Sequence, residues 1–199
     1  LVDMPEAKAN GLTIRPIRTM MNHATTELFF DDVPVPAANM IGEEGKGFRY
    51  ILSGMNAERI LIAAECIGDA KWFIDKAAAY AGERVVFGRP IGQNQGIQHP
   101  LAKSWAELEA ANLMAFRAAA LYDSGAECGA EANAAKYLAG EAGFTACERA
   151  IMTLGGMGYA KEFHVERYLR EVMIARIAPV SRELILCYIA EKVLGLPRS

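Results

Sequence analysis

The spacing of hydrophobic positions changes once along this chain, near Phe48. Before that point, Leu12-Thr-Ile-Arg-Pro-Ile17 and Thr25-Thr-Glu-Leu-Phe-Phe30 have the alternation or density of β-branched and aromatic residues expected of strands. Asp31-Asp-Val-Pro-Val-Pro36 breaks the pattern, and Gly42-Glu-Glu-Gly-Lys-Gly47 forms a polar, glycine-rich connection. From Phe48 the period becomes helical. Phe48, Ile51, Leu52 and Met55 share a stripe that Ile60, Ala63, Ile67, Ala70, Phe73, Ile74 and Ala77 continue.

The same periodicity predicts a second helix over about 97–124 through Leu101, Trp105, Leu108, Ala111 and Met114, stopping at Gly125. A third runs over about 130–154 through Ala134, Tyr137, Leu138, Ala142 and Cys147, ending at Gly155-Gly156. A short helix over 165–174 follows, then a break at Ala178-Pro179 and a last helix over 181–194. Long helices joined by short loops pack antiparallel, so the expected fold is mainly α. Residues 47–199 would form an antiparallel four-helix bundle, preceded by a partial β-barrel segment over 1–46. Leu1 is not an initiator, and the opening strands read as the end of a β domain, so the chain is expected to be the later portion of a longer polypeptide.

Composition narrows the function. The chain has 199 residues, 52% hydrophobic and 23% charged, with a net charge of −3, so neither nucleic acid nor an anionic membrane is favoured as a partner. No apolar run approaches the length of a membrane span. Cys66, Cys128, Cys147 and Cys187 have no metal-binding or redox spacing, and His23, His99 and His164 are equally scattered, so no metal site is expected. Free thiols suit a reducing, intracellular setting, expected to be cytoplasmic, or the mitochondrial matrix if the source is eukaryotic.

Two segments carry chemistry that a plain bundle does not need. In Glu83-Arg-Val-Val-Phe-Gly-Arg-Pro-Ile-Gly-Gln-Asn-Gln95, Phe87 sits between Arg84 and Arg89 in a turn through Gly88, Pro90 and Gly92, with Gln95 beyond. Guanidinium groups suit a pyrophosphate, the ring can stack, and the amide can hydrogen-bond. The alternative reading is a basic turn between helices. In Leu154-Gly-Gly-Met-Gly-Tyr159, closely spaced glycines free backbone amides for an anion, where a helix stop needs only one.

The first segment resembles the Arg-x-x-Phe-Gly-x-x-Ile…Gln signature of the acyl-CoA dehydrogenase family. The second, with Lys161-Glu-Phe-His-Val-Glu-Arg-Tyr-Leu-Arg170, resembles that family's Gly-Gly-x-Gly-(Tyr/Phe)…Val-Glu-Arg…Arg run. The resemblance also takes in Val33-Pro-Val-Pro36 through Phe48 and the Asn56-Ala-Glu-Arg-Ile60 segment. It implies a flavoprotein in which Arg84, Phe87, Gln95, Gly155 and Gly156 hold the FAD of a neighbouring subunit. It also implies a homodimer or homotetramer, an acyl-CoA substrate, and electron-transfer flavoprotein as electron acceptor. Met152 stands where the family commonly has a glutamine.

Most members carry the catalytic base just before the final helix, in a Tyr-Glu-Gly-Thr run. Here the corresponding residues are Ala178-Pro179-Val180-Ser181, and proline cannot accept a proton. Ser181 keeps a hydroxyl where the family has its flavin-contacting threonine. Isovaleryl- and long-chain-type members place the base on the long helix, immediately before an arginine; those positions are Glu58 and Arg59. The resemblance thus implies α,β-desaturation of an acyl-CoA thioester to the trans-2-enoyl-CoA, with Glu58 as base and Arg59 on the substrate. Without that context, Glu58 reads as an ordinary solvated helix residue. Two other readings keep the fold: a non-catalytic partner subunit of a hetero-oligomer, and a flavin monooxygenase or oxidase. Glu65 reads as structural or at the surface. Tyr159, Trp72, Trp105 and the methionines read as core packing, His99 as a turn or capping residue, and Arg167 and Arg170 as ion-pair or interface residues.

Overall fold

The computed structural model describes residues 1–21 and 24–198, leaving the side chain of residue 53 aside. His23 lies outside the described residues. Contacts divide the chain into two compact units, Leu1–Gly54 and the remainder from Met55 onward.

In the first unit, helix α1 (Met4–Ala9) is capped by Asp3, whose carboxylate accepts from the Glu6 amide at 2.9 Å. Strands β1 (Leu12–Ile17) and β2 (Thr25–Phe30) pair antiparallel, with Leu12 opposite Phe30 and Ile17 opposite Thr25. Two strands cannot bury an apolar face, and Leu28, Phe29 and Phe30 stay exposed. No closed barrel forms among the described residues.

The second unit is helical. Helix α2 (Gly47–Glu83) begins in the first unit and runs through into this one. Two short strands, β3 (Val85–Val86) and β4 (Arg89–Pro90), reverse the chain into helix α3 (Gln95–Asp123). Helix α4 (Gly129–Leu154) follows, then a single turn α5 (Gly156–Tyr159), α6 (Val165–Ile174) and α7 (Arg182–Tyr188). The last helix follows the expected 181–194 closely: α7 continues directly into Ile189–Val193, which winds as a π helix.

Helix α4 is the axis of the core, and its small residues explain why. Ala132, Ala135, Ala139, Gly140, Gly143, Ala146 and Ala150 are all buried, so neighbouring backbones come close. A Cβ placed at Gly143 would meet the Cys66 carbonyl and Val172 Cγ2, both at 3.2 Å; one at Gly140 would meet the Ala175 carbonyl at 3.2 Å. These pairs also fix direction. Arg59 acts electrostatically on Lys136, Cys66 touches Gly143, and Asp69 acts on Cys147, so α2 and α4 run the same way. Arg117–Glu131 at 3.2 Å and Arg149–Glu107 at 3.0 Å make α3 antiparallel to α4. Val172 against Gly143 and Val180 against Lys136 make the α6–α7 segment antiparallel as well.

Several apolar positions are not core. Phe48, Ile51 and Leu52, the start of the predicted stripe, are exposed. Trp105 is 59% exposed, because the turn buries Ser104 and Leu108 instead, and Leu138 is exposed while Lys136 is buried. Tyr159 is 86% exposed, and Met20, Met40, Met152 and Met157 are exposed too, so core packing does not account for them. Trp72 does pack, edge-on to Phe73 at 5.5 Å between centroids. His99 lies inside α3 rather than capping it, since Asn94 holds the N-cap position.

Where α2 faces α6, Asp69 feels the charges of Glu65 and Glu171. Burial, with the charges of Glu65 and Glu171, raises the Asp69 pKa to about 6. Its folded value therefore exceeds its unfolded one, and the ionised form costs the fold stability above about pH 6. Asp69→Asn should raise the melting temperature at pH 7.5 by about 2–4 °C, for a gain near 1 kcal/mol at this half-exposed site. The advantage should fade between pH 6 and 4, which thermal unfolding across that range checks.

Candidate functional site

The residues of interest gather at two places along α2. Arg59 shares its helix face with Ala63, Cys66 and Ala70, and points inward toward Lys136 of α4. Its Nη1 donates to Asn56 Oδ1 at 3.0 Å, while its buried Nε has no hydrogen-bond partner among the described residues. Burial pulls the Arg59 pKa down, and Tyr188 and Glu58 push it back up. Glu58 is exposed, and helical geometry puts it on the flank shared with Ile62, Glu65 and Asp69. That flank looks toward α6, since Asp69 feels Glu171.

Pro179 lies between α6 and α7, half-buried, with a cis Ala178-Pro179 bond. The next carbonyl, Val180, accepts from Lys136 Nζ at 2.7 Å, which sets this segment at the same level of α4 as Arg59. Ser181 starts α7 as its N-cap, its Oγ accepting from the Leu184 amide at 3.3 Å. Glu58 and Arg59 thus stand level with the Pro179–Ser181 segment.

The second place lies beyond the far end of α2. From Arg59 to Glu83 the helix rises roughly 36 Å at about 1.5 Å per residue. There the β3–β4 hairpin has positive φ at both central residues, Phe87 at 51° and Gly88 at 79°. A type I′ turn requires this and ordinarily uses Asn-Gly. A bulky aromatic in this region is strained by about 1–3 kcal/mol, yet Phe87 is fully exposed and packs on nothing. Arg84 and Gln95 are exposed beside the same hairpin, while Arg89 bonds Asn94 Oδ1 at 2.7 Å.

Helix α4 ends at this same end of the unit, as the parallel run of α2 and α4 requires, and Tyr80 near the end of α2 meets Phe163, 6.1 Å between ring centroids. Gly155 adopts φ 59°, ψ −130°, a conformation essentially reserved for glycine. Gly155 and Gly156 are exposed, and a Cβ placed on either would have no heavy atom within 4 Å, so no described side chain covers them, while the Gly155 amide donates to the Ile151 carbonyl at 2.9 Å. Gly158 differs: a Cβ there would meet the Ile151 carbonyl at 2.5 Å, making its role one of packing. The spacing Gly-Gly-x-Gly thus combines an open pair with a structural third.

The remaining candidates have local partners. Arg167 pairs with Glu171 at 3.5 Å, and Arg170 pairs with Glu166. Burial raises the Cys66 and Cys147 thiols to about 12, so neither is a ready nucleophile. Among the described residues no three His, Cys, Asp or Glu side chains gather as a metal site, and no helix is long and apolar enough to cross a membrane. Sequence reasoning missed Lys136, whose burial breaks the polar pattern of its helix and left no signal in apolar periodicity.

Residues 45–194 match the family model described as acyl-CoA dehydrogenase, C-terminal domain. Over 175 residues the chain is 42% identical to the acyl-CoA dehydrogenase fadE12 of Mycobacterium bovis, covering 87% of this chain and 45% of that protein. Among solved structures, a glutaryl-coenzyme A dehydrogenase in complex with glutaryl-CoA matches with a TM-score of 0.88 and 35% identity, over 94% of this chain and 48% of that one. The prolyl acyl carrier protein oxidase AnaB matches with a TM-score of 0.89 and 30% identity, over 94% and 50%. The chain spans about half the length of these relatives. It belongs to the acyl-CoA dehydrogenase family.

Proposed function

We propose that this chain is the catalytic C-terminal part of an FAD-dependent enzyme that desaturates an acyl-CoA thioester at the α,β position. The observation carrying this reading is the exposed, strained Phe87 turn, flanked by Arg84 and Gln95 and sharing an end of the unit with Gly155 and Gly156. An aromatic face, a cation and the uncovered backbone at Gly156, beside a Gly155 amide that caps α4 on the Ile151 carbonyl, form a set that fits a dinucleotide's ring and pyrophosphate. The helices in this reading form the family's antiparallel four-helix bundle, entered from a β domain over residues 1–46.

The roughly 36 Å of helix between Arg59 and Glu83 supports a cofactor shared between subunits. One flavin does not extend from the Pro179–Ser181 end to the Phe87 end of a single chain, so Ser181 would meet one cofactor and Arg84, Phe87, Gln95, Gly155 and Gly156 the partner's. A homodimer or homotetramer follows.

At the other end, the unpaired Arg59 Nε–H suits an anionic or carbonyl oxygen of the CoA thioester. Glu58 takes the α proton, and closure by substrate and the rest of the protein would shield a carboxylate that is open in this chain. Pro179 leaves no competing base opposite it. Held by Ser181 and, from the partner, by the Phe87 turn, FAD would supply the acceptor for the hydride that leaves the β carbon as the double bond forms. Electron-transfer flavoprotein would then collect the electrons. The likeness to AnaB supports a second reading, an oxidase; rapid reoxidation of the reduced enzyme by oxygen would favour it.

Two measurements test the assignment in the intact enzyme. Arg84→Ala should lower the fraction of protein purified with FAD, with Gly156→Ala acting in the same direction without loss of stability; unchanged flavin content in both would remove the cofactor site. Glu58→Gln should bind FAD and acyl-CoA yet slow anaerobic flavin bleaching on the order of 10²–10⁴-fold. Near-normal bleaching by that variant would exclude Glu58 as base.

A further inference from the structure

Lys136 is a cation where a bundle core least wants one. It is 1% exposed, in the middle of α4, and its single described hydrogen bond goes to the Val180 carbonyl at 2.7 Å. Burying an ammonium carries a desolvation cost, and an apolar residue of similar size would serve packing better. Its surroundings are Cys66 and Arg59 of α2, Glu141 of α4 and Glu183 of α7, and burial lowers its pKa.

The same helix holds the same loop at two further points. Glu141 receives Arg176 Nε and Nη2, both at 2.8 Å, in a bidentate pair, and Arg182 Nη1 at 3.4 Å. Arg176 precedes Pro179 and Arg182 follows it. The Arg182 amide also donates to the Arg176 carbonyl at 3.3 Å, closing the loop on itself. Two residues of α4, Lys136 and Glu141, therefore fasten both flanks and the midpoint of the segment that stands level with Glu58 and Arg59.

We propose that Lys136 is a positioning residue for the reaction, acting through the Val180 carbonyl to hold the Pro179–Ser181 wall against the acyl-CoA and flavin, with Glu141 holding its flanks. The idea rests on the desaturase reading for its catalytic consequence and on geometry alone for the clamp. A carbonyl fixed by a charged donor cannot rotate its peptide plane, so the Ser181 hydroxyl and the Pro179 ring stay in register with the α2 residues opposite. Lys136 itself, only 1% exposed, would touch neither substrate nor cofactor.

Lys136→Met keeps length and removes the charge and donor, so packing survives while the clamp does not. In the intact flavin-loaded enzyme, hydrogen–deuterium exchange at the Arg182 and Leu184 amides should accelerate at least about tenfold, with exchange across α3 unchanged. Flavin reduction at saturating acyl-CoA should slow between about tenfold and a hundredfold, while the acyl-CoA dissociation constant changes less than about threefold. Glu141→Gln, at a more exposed position, should show both effects more weakly, and it decides the matter if Lys136→Met does not fold. Unchanged exchange at both amides overturns the clamp; faster exchange with undiminished reduction overturns the positioning role. Should the wild-type enzyme prove inert toward acyl-CoA, the desaturase reading fails, and the exchange measurement still decides the clamp.

Discussion

The closeness of approach to helix α4 sets nearly everything else in the helical unit. Gly140 and Gly143 bring the backbones at Ala175 and Cys66 to within 3.2 Å of where a side chain would begin. Dispersion contacts fall away steeply with separation, so such tight seams specify level as well as distance. Because α2 and the α6–α7 segment are both registered on α4, they are registered on each other. That is how Glu58 and Arg59, far in sequence from Pro179 and Ser181, come to stand at one level.

A seam of small residues leaves little room for large apolar side chains, and this shows at the surface. Many of the big hydrophobic groups, among them Trp105, Leu113, Phe116 and Leu184, lie outside the core. Exposed apolar surface on this scale suits a chain that meets further protein, consistent with relatives about twice its length. The core itself relies on Phe73, Leu108, Val165, Val172 and Ile185 set among alanines.

How much the sequence disclosed depended on the kind of signal. Helices α3, α4 and α6 fell within two residues of expectation, because long apolar periodicity reports directly on a buried face. Periodicity could not tell Trp105 from Leu108, one turn apart, since a degree of helix rotation that apolarity leaves open decides which is covered. The β3–β4 hairpin went unread because its turn carries Phe-Gly rather than Asn-Gly, and strands of two residues leave no alternation to count. The glycine pair at 155–156 was legible as open backbone, while the separate packing role of Gly158 needed the approach of Ile151. Lys136 was invisible for a simpler reason: a lysine among alanines reads as a solvated position until its partner, the carbonyl of Val180, is seen.

The two ends of α2 illustrate different uses of cost. At the hairpin, strain is held in the backbone, where an aromatic occupies a left-handed position and stays bare. At the other end, cost is electrostatic, with the charged forms of Arg59 and Lys136 both disfavoured by burial and that of Lys136 further by the neighbouring guanidinium. Neither arrangement improves the fold of this chain taken alone, and local choices that oppose stability concentrate where a protein binds or reacts. The hairpin's cost is recovered if a ligand covers Phe87. The cationic interior is eased if an anion or a polarised carbonyl reaches the free Arg59 Nε–H. A thioester substrate at one end and a dinucleotide at the other would satisfy both conditions, and roughly 36 Å of intervening helix would make each active site the joint product of two chains.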